Sequence, residues 1–158
     1  MKITVPKIIN LKNNRVISMM TAYDYPSSKA ISDAEIDIIL VGDSLAQVVL
    51  GYEDTLSVTV DEMLHHVKAV TRANPNSLVV ADMPYMSYHV SEEETIKNAA
   101  RFIQEGKADA VKIEGGRKRE KMIKALINAE IPVMGHLGLT PQSKNCLLYT
   151  SPSPRDGL

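Results

Sequence analysis

The sequence predicts an α/β protein built on a parallel sheet, and three observations carry that prediction. Short apolar runs and stretches of helical periodicity alternate five times along the chain. The runs are apolar throughout, as strands buried on both faces by crossover helices are. An acidic residue or a histidine stands at or just past the exit of each run: Asp24, Asp43, Asp82, Glu114 and His136. Parallel strands, whether between helix layers or closed into a barrel, gather their loops at the C-terminal ends, and such folds build their sites there.

The elements follow in order. Residues 1–15 mix Lys, Asn and Pro with a few aliphatics and read as an N-terminal arm with a helical turn near Ile8. Val16 to Ala22 is a buried-type strand ending in Tyr23-Asp24, and Pro26 to Ala34 a helix, with Pro26 allowed in its first turn. Asp37 to Val41 is the second strand, ending in Gly42-Asp43-Ser44, and a longer connection leads to Thr59-Val60-Asp61-Glu62. That tetrapeptide is a capping box opening a helix to about Arg72. After the turn Asn74-Pro75-Asn76 comes a strand from Ser77 to Ala81, ending in Asp82-Met83-Pro84. Ser91 to Glu94 is a second capping box, and its helix runs to Glu105, where Gly106 stops it. The fourth strand, Asp109 to Glu114, ends in Gly115-Gly116; a basic helix from Arg117 to Ala129 and a fifth strand from Ile131 to His136 complete the series. Alternation along the fourth strand puts Lys112 and Glu114 on one face and Val111 and Ile113 on the other.

Composition narrows the function. With 158 residues, 44% of them hydrophobic, the chain can bury one ordinary core, and with six Tyr, one Phe and no Trp that core is aliphatic. Met19, Met20, Met83 and Met86 read as core fillers. Eighteen basic residues balance 19 acidic ones, and the densest basic stretch, Arg117 to Lys121, is broken by Glu120, so nucleic acid is not an expected partner. No apolar run approaches a membrane span, and the N-terminus lacks a signal-type apolar core. The lone Cys146 rules out an internal disulfide and a cysteine metal site, which fits a cytoplasmic protein.

Three carboxylates meeting without cysteine favour a hard divalent cation bound through oxygen, Mg²⁺ above Zn²⁺, with Asp43, Asp82 and Glu114 as candidate ligands. Lys112 beside them holds an anionic substrate group by charge and hydrogen bonding. A metal together with a lysine suits a small oxo-acid, the metal taking the keto oxygen. His136 has two readings: it orients substrate or protonates a leaving group, or it is a histidine satisfied by its neighbours. In His65-His66, on a helix with apolar positions at helical spacing, one ring covers the core and the other faces water, and a metal role is not expected because no second ligand stands four residues on. A phosphate-cradling loop finds no support, because neither glycine-rich pattern for one is present.

Six motifs in this order and spacing resemble the ketopantoate hydroxymethyltransferase family: Thr21 to Asp24, Leu40 to Leu45, Thr55 to Thr59, Ala81 to Pro84, Lys112 to Gly116, and Gly135 to Gln142. The resemblance covers residues 1 to about 145. It implies a (β/α)₈ (TIM) barrel of the phosphoenolpyruvate/pyruvate type, of which about five βα units are present here. It also implies Mg²⁺ and transfer of a hydroxymethyl group from 5,10-methylenetetrahydrofolate to 3-methyl-2-oxobutanoate in pantothenate biosynthesis, by a homo-oligomer. Carried onto this chain, Asp43, Asp82 and Glu114 match metal-site residues; Asp43, Ser44, Asp82 and Lys112 match oxo-acid contacts; His136, Tyr23 and Asp24 are supporting candidates.

The departures set further expectations. Such a barrel needs roughly 250 residues, and the family's catalytic base, a glutamate from a later strand, has no counterpart here, so this chain is expected to be inactive. Residues 146–156 resemble the translation of a transposon-end library adapter, so the chain divides into a truncated barrel domain, 1–145, and an unstructured tail, 146–158. Two other functions stay open: another Mg²⁺-dependent lyase or aldolase acting on an oxo-acid within the same barrel superfamily, and a non-catalytic binding or assembly module.

Overall fold

The computed structural model describes residues 2–147. An N-terminal helix α1 (Val5–Leu11) precedes strand β1 (Met19–Thr21) and helix α2 (Tyr25–Asp33). Strand β2 (Ile38–Val41), a one-turn helix α3 (Leu45–Val48) and helix α4 (Val60–Arg72) follow. Next come β3 (Leu78–Asp82), α5 (Glu92–Gln104) and β4 (Ala110–Glu114). A 3₁₀ turn, Gly116–Arg119, enters α6 (Glu120–Asn128), and β5 (Val133–His136), a second 3₁₀ turn and α7 (Lys144–Leu147) end the described chain.

The five strands are parallel and lie in sequence order, β1-β2-β3-β4-β5. An order that never reverses belongs to the (β/α)₈ barrel, whereas a doubly wound sheet reverses at a switch point. The chain therefore forms five consecutive units of such a barrel.

Period-two alternation divides the strand residues between two cores. Ile39, Val41, Val79, Ala81, Val111 and Ile113 pack on the helix layer with Met63, Val67, Phe102 and Leu126. Ile38, Leu78, Val80 and Ala110 face the opposite side, where Leu40, Met134 and the N-terminal residues Ile3, Val5 and Ile8 cover them. The N-terminal arm thus closes the inner face of the sheet. Local chemistry places the helices: Thr59 and Glu62 complete the reciprocal capping box at α4, and Asp24 caps α2 by accepting from the Ser27 N–H. Gly115, at φ +112°, turns the chain out of β4 in a conformation that side chains disfavour.

Several expectations need correction. The first strand spans three residues rather than seven and is exposed, with Met19 and Met20 at 48% and 51%, because among the described residues β1 has a sheet neighbour on one side only. Those methionines are not core fillers, and neither is Met86, which sits exposed at positive φ; Met83 alone of the four is buried. The last strand is likewise only partly buried. The helix expected from Arg117 starts as a 3₁₀ turn, and Ser91 accepts from the Glu94 N–H without the return bond of a full capping box. The core is aliphatic apart from Tyr88 and Phe102, its two largest fully buried side chains. Cys146 and Leu147 continue α7, while the rest of the expected tail, 148–158, lies outside the described residues.

Candidate active site

Register assembles the site. Parallel pairing sets Asp82 opposite Lys112 on the neighbouring strand, and Glu114 opposite His136. All four share parity with the inner-face residues Leu78, Val80, Ala110 and Met134, so they stand at the C-terminal rim of the sheet on its inner side. Asp43 arrives from the turn after β2, and its N–H donates to Asp82 Oδ2 at 3.1 Å. The sequence-predicted Asp43, Asp82, Lys112 and Glu114 are therefore brought together.

The partners inside the cluster differ from those adjacency in sequence suggests. Lys112 Nζ pairs with Asp82 Oδ1 at 2.6 Å, not with Glu114. It also lies 3.3 Å from His136 Nδ1. An ammonium only donates, so Nδ1 accepts and the ring proton resides on Nε2. Burial, and then the Lys112 charge, pull the His136 pKa down, which keeps this ring neutral. Its 3.4 Å approach to Glu114 Oε2 is accordingly a contact between neutral imidazole and carboxyl, not an ion pair.

Asp43, Asp82 and Glu114 are only 7%, 3% and 5% exposed, so each needs a partner for its charge. Burial raises all three: Asp82 is pushed up to about 7, with Lys112 opposing and Asp43 adding to the rise, and Asp43 and Glu114 move in the same direction. One ammonium serves three buried carboxylates. That surplus of hard anionic oxygen, with no sulfur ligand nearby, is the chemistry a divalent cation such as Mg²⁺ satisfies. Among the described residues, no three His, Cys, Asp or Glu side chains are grouped so as to hold a metal ion, and in this structure Lys112 and an amide occupy oxygens of Asp82 and Asp43.

That amide belongs to Gln142, which together with Tyr88 was not singled out by sequence reasoning. Gln142 Nε2 donates to Asp43 Oδ2 at 2.8 Å and to the Met83 carbonyl at 3.0 Å, and its backbone N–H donates to Glu114 Oε1 at 2.8 Å. Tyr88 Oη donates to Gln142 Oε1 at 2.6 Å. The available signals were the glutamine ending the Gly135 to Gln142 motif and the scarcity of aromatic residues, which makes each buried tyrosine conspicuous.

Ser44 lies at the cluster's edge, its hydroxyl 3.0 Å from that of Tyr23, whose carbonyl is in turn held by His66 Nδ1 at 2.7 Å. His65 faces water. Asp24 stands apart: it is exposed, and its carboxylate is engaged at the start of α2, 2.8 Å from the Ser27 N–H. A cavity of about 350 Å³ borders the Glu114 and His136 side of the cluster, with Gly115, Lys118, Arg119 and Thr140 in its wall. His89 also lines it, its pKa lowered by burial to about 4.

Comparison with known proteins gives a consistent result. The family described as ketopantoate hydroxymethyltransferase matches residues 2–151. The 3-methyl-2-oxobutanoate hydroxymethyltransferase of Syntrophomonas wolfei is 58% identical over 132 residues, covering 84% of this chain and 48% of the relative. The protein of that name from Clostridium botulinum is 56% identical over 146 residues, covering 92% of this chain and 53% of its own. The chain thus spans about half the length of the curated relatives it matches. Among solved structures, a phosphoenolpyruvate phosphomutase from Streptomyces platensis subsp. rosaceus aligns with a TM-score of 0.65 at 16% identity, over 84% of this chain and 53% of that one. A phosphonopyruvate hydrolase complexed with oxalate and Mg²⁺ aligns with a TM-score of 0.65 at 13% identity, over 79% and 48%. At those identities the likeness is one of fold.

Proposed function

The chain belongs to the ketopantoate hydroxymethyltransferase family, and from that premise we propose that it carries the oxo-acid half of an active site transferring a hydroxymethyl group from 5,10-methylenetetrahydrofolate to 3-methyl-2-oxobutanoate. The observation that carries this reading is the joining of Asp43, Asp82, Lys112 and Glu114 at one end of adjacent parallel strands. In it, Asp43, Asp82 and Glu114 hold Mg²⁺. The bound ion supplies Lewis-acid charge at the keto oxygen of the substrate.

The chain's own residues do the rest. Lys112, 2.6 Å from Asp82, is placed to turn toward the substrate carboxylate once the Asp82 carboxylate is engaged by the ion. Ser44 donates its hydroxyl to the same anionic end, with Tyr23 setting the rotor. His136 presents an Nε2–H donor fixed by the Lys112 contact at Nδ1. Carbon–carbon bond formation also needs a base for C3 of the oxo-acid, and positioned acid or base help is worth about 10² to 10⁴ in rate. The family's glutamate base has no counterpart in this chain, so the chain alone binds without turning over. The same reading places the full enzyme in the cytoplasm as a homo-oligomer, and treats residues 146–158 as adapter-derived, which sequencing the locus across codon 145 tests.

Calorimetric titration of the 158-residue chain with 3-methyl-2-oxobutanoate tests the site. Binding should require Mg²⁺ and should be lost in Asp82→Asn and Lys112→Met. Equal binding with and without Mg²⁺, or retention in both variants, overturns the assignment. Turnover by the chain alone within about tenfold of a full-length relative overturns the missing-base argument, given the size of that effect.

A further inference from the structure

We propose that Tyr88 and Gln142 are a positioning pair for this site: Tyr88 sets which way the Gln142 side-chain amide faces, and that amide sets the carboxylate of Asp43, while the Gln142 backbone N–H holds that of Glu114. The proposal rests on the reading that those carboxylates serve the oxo-acid site, and it concerns residues outside the set that touches substrate.

The oxygen and nitrogen ends of the Gln142 side-chain amide have nearly the same shape and opposite hydrogen-bonding character. As placed, the nitrogen meets two acceptors, Asp43 Oδ2 at 2.8 Å and the Met83 carbonyl at 3.0 Å. Turned over, the oxygen would stand against both of those acceptors. Gln142 is 6% exposed, so water does not compensate for a wrong orientation.

Tyr88 supplies the discrimination from the other end. Its hydroxyl donates to Gln142 Oε1 at 2.6 Å and accepts from the Glu114 N–H at 3.3 Å. Accepting that N–H commits the tyrosine proton to the glutamine, so the hydroxyl rewards only one amide orientation. The Gln142 N–H returns to Glu114 Oε1 at 2.8 Å, and the circuit closes on itself. Packing fixes the ring that carries the hydroxyl: Tyr88 is 1% exposed, with the His89 ring centroid 4.3 Å away and the Arg119 guanidinium 5.8 Å over it. The circuit links the exit of β2 to the end of β4 through a residue that follows β5, and it meets the Lys112–Asp82 pair through the Asp43 N–H, which donates to Asp82 Oδ2.

Two measurements on the 158-residue chain test the pair. The first uses no ligand: exchange of the Gln142 side-chain amide protons followed by ¹⁵N NMR, with urea melts to verify folding. In the unsubstituted chain these protons should exchange slowly, and in Tyr88→Phe at least about tenfold faster with the fold retained. Free-amide exchange in the unsubstituted chain, or unchanged protection in Tyr88→Phe, would overturn the proposal. The second is Mg²⁺ affinity by calorimetry. Tyr88→Phe and Gln142→Met should each weaken binding about tenfold or more, the scale for residues that orient metal ligands. Because Tyr88 acts through Gln142, the double variant should bind no more weakly than Gln142→Met alone; losses that simply add overturn the coupling. If the unsubstituted chain binds no Mg²⁺, the metal assignment falls by itself, and the exchange measurement still decides the pair.

Discussion

Replacing Lys112 by Met removes the only lysine or arginine paired with the site carboxylates among the described residues, while keeping a chain of similar length. The consequence depends on pH in a way the structure specifies. Asp82, 3% exposed, is pushed up to about 7 by burial, whereas an unfolded aspartate titrates near about 4. The folded chain therefore binds this proton more tightly than the unfolded one. Stability contributed by the group is greatest below about pH 4, falls as pH rises toward about 7, and levels off once Asp82 is ionised in both states. Without the ammonium the native value moves higher still, and the levelling-off moves with it. Below about pH 6 both proteins hold a protonated Asp82, and their stabilities should differ by a constant of about 1 kcal/mol for the lost hydrogen bonds. Above about pH 7 only the variant must keep the proton. Its deficit should then grow by about 1.4 kcal/mol per pH unit, toward the about 3–5 kcal/mol typical of a buried pair broken on one side. Urea denaturation of both proteins between about pH 5 and pH 9 measures this directly. A deficit that stays constant with pH, or shrinks as pH rises, refutes the reasoning.

Three further outcomes follow from other parts of the fold. The Asp37 carboxyl is held well below the usual carboxylate range by hydrogen bonds from Arg15 and from the Ser18 N–H and hydroxyl. A depressed native pKa gives stability that is present above about pH 4 and lost as pH falls. Asp37→Asn should thus lower Tm at neutral pH and flatten the acid limb, and an unchanged acid limb would contradict the assignment. In Gly106→Ala the added methyl would lie 2.5 Å from the Phe102 carbonyl and 2.9 Å from Val67 Cγ1. Overpacking of that kind costs about 1–3 kcal/mol, which urea midpoints resolve; parental stability would mean that this helix end yields freely. Phe102→Ala empties a fully buried site between helix layer and sheet and should cost about 3–5 kcal/mol, read the same way.

Much of the architecture was legible because its causes are local. Apolar runs broken by turns, the Thr59 to Glu62 capping box and the glycines after β4 depend on neighbours a few residues away, so five strand units and their helices could be placed in order. A carboxylate or histidine at each strand exit marked Asp43, Asp82, Glu114 and His136, because parallel strands direct all their exits to one end. Asp24 carried the same mark but caps α2, a use that competes for aspartate at any helix start.

What only the tertiary structure decided is who partners whom. Lys112 and Glu114 share a strand face but lie two residues apart, about 6–7 Å along the strand, whereas adjacent strands are about 5 Å apart, and the register of β3 against β4 puts Asp82 beside the ammonium. The exposure of Met19 and Met20 depends on which edge of the sheet has a neighbour, a property of the assembly that no local pattern contains. Gln142 and Tyr88 meet across 54 residues of chain, and Gln142 reaches Asp43 across 99. Hydrogen bonds of that span leave no periodicity in sequence, because they depend on where the backbone of three separate strands has already been fixed.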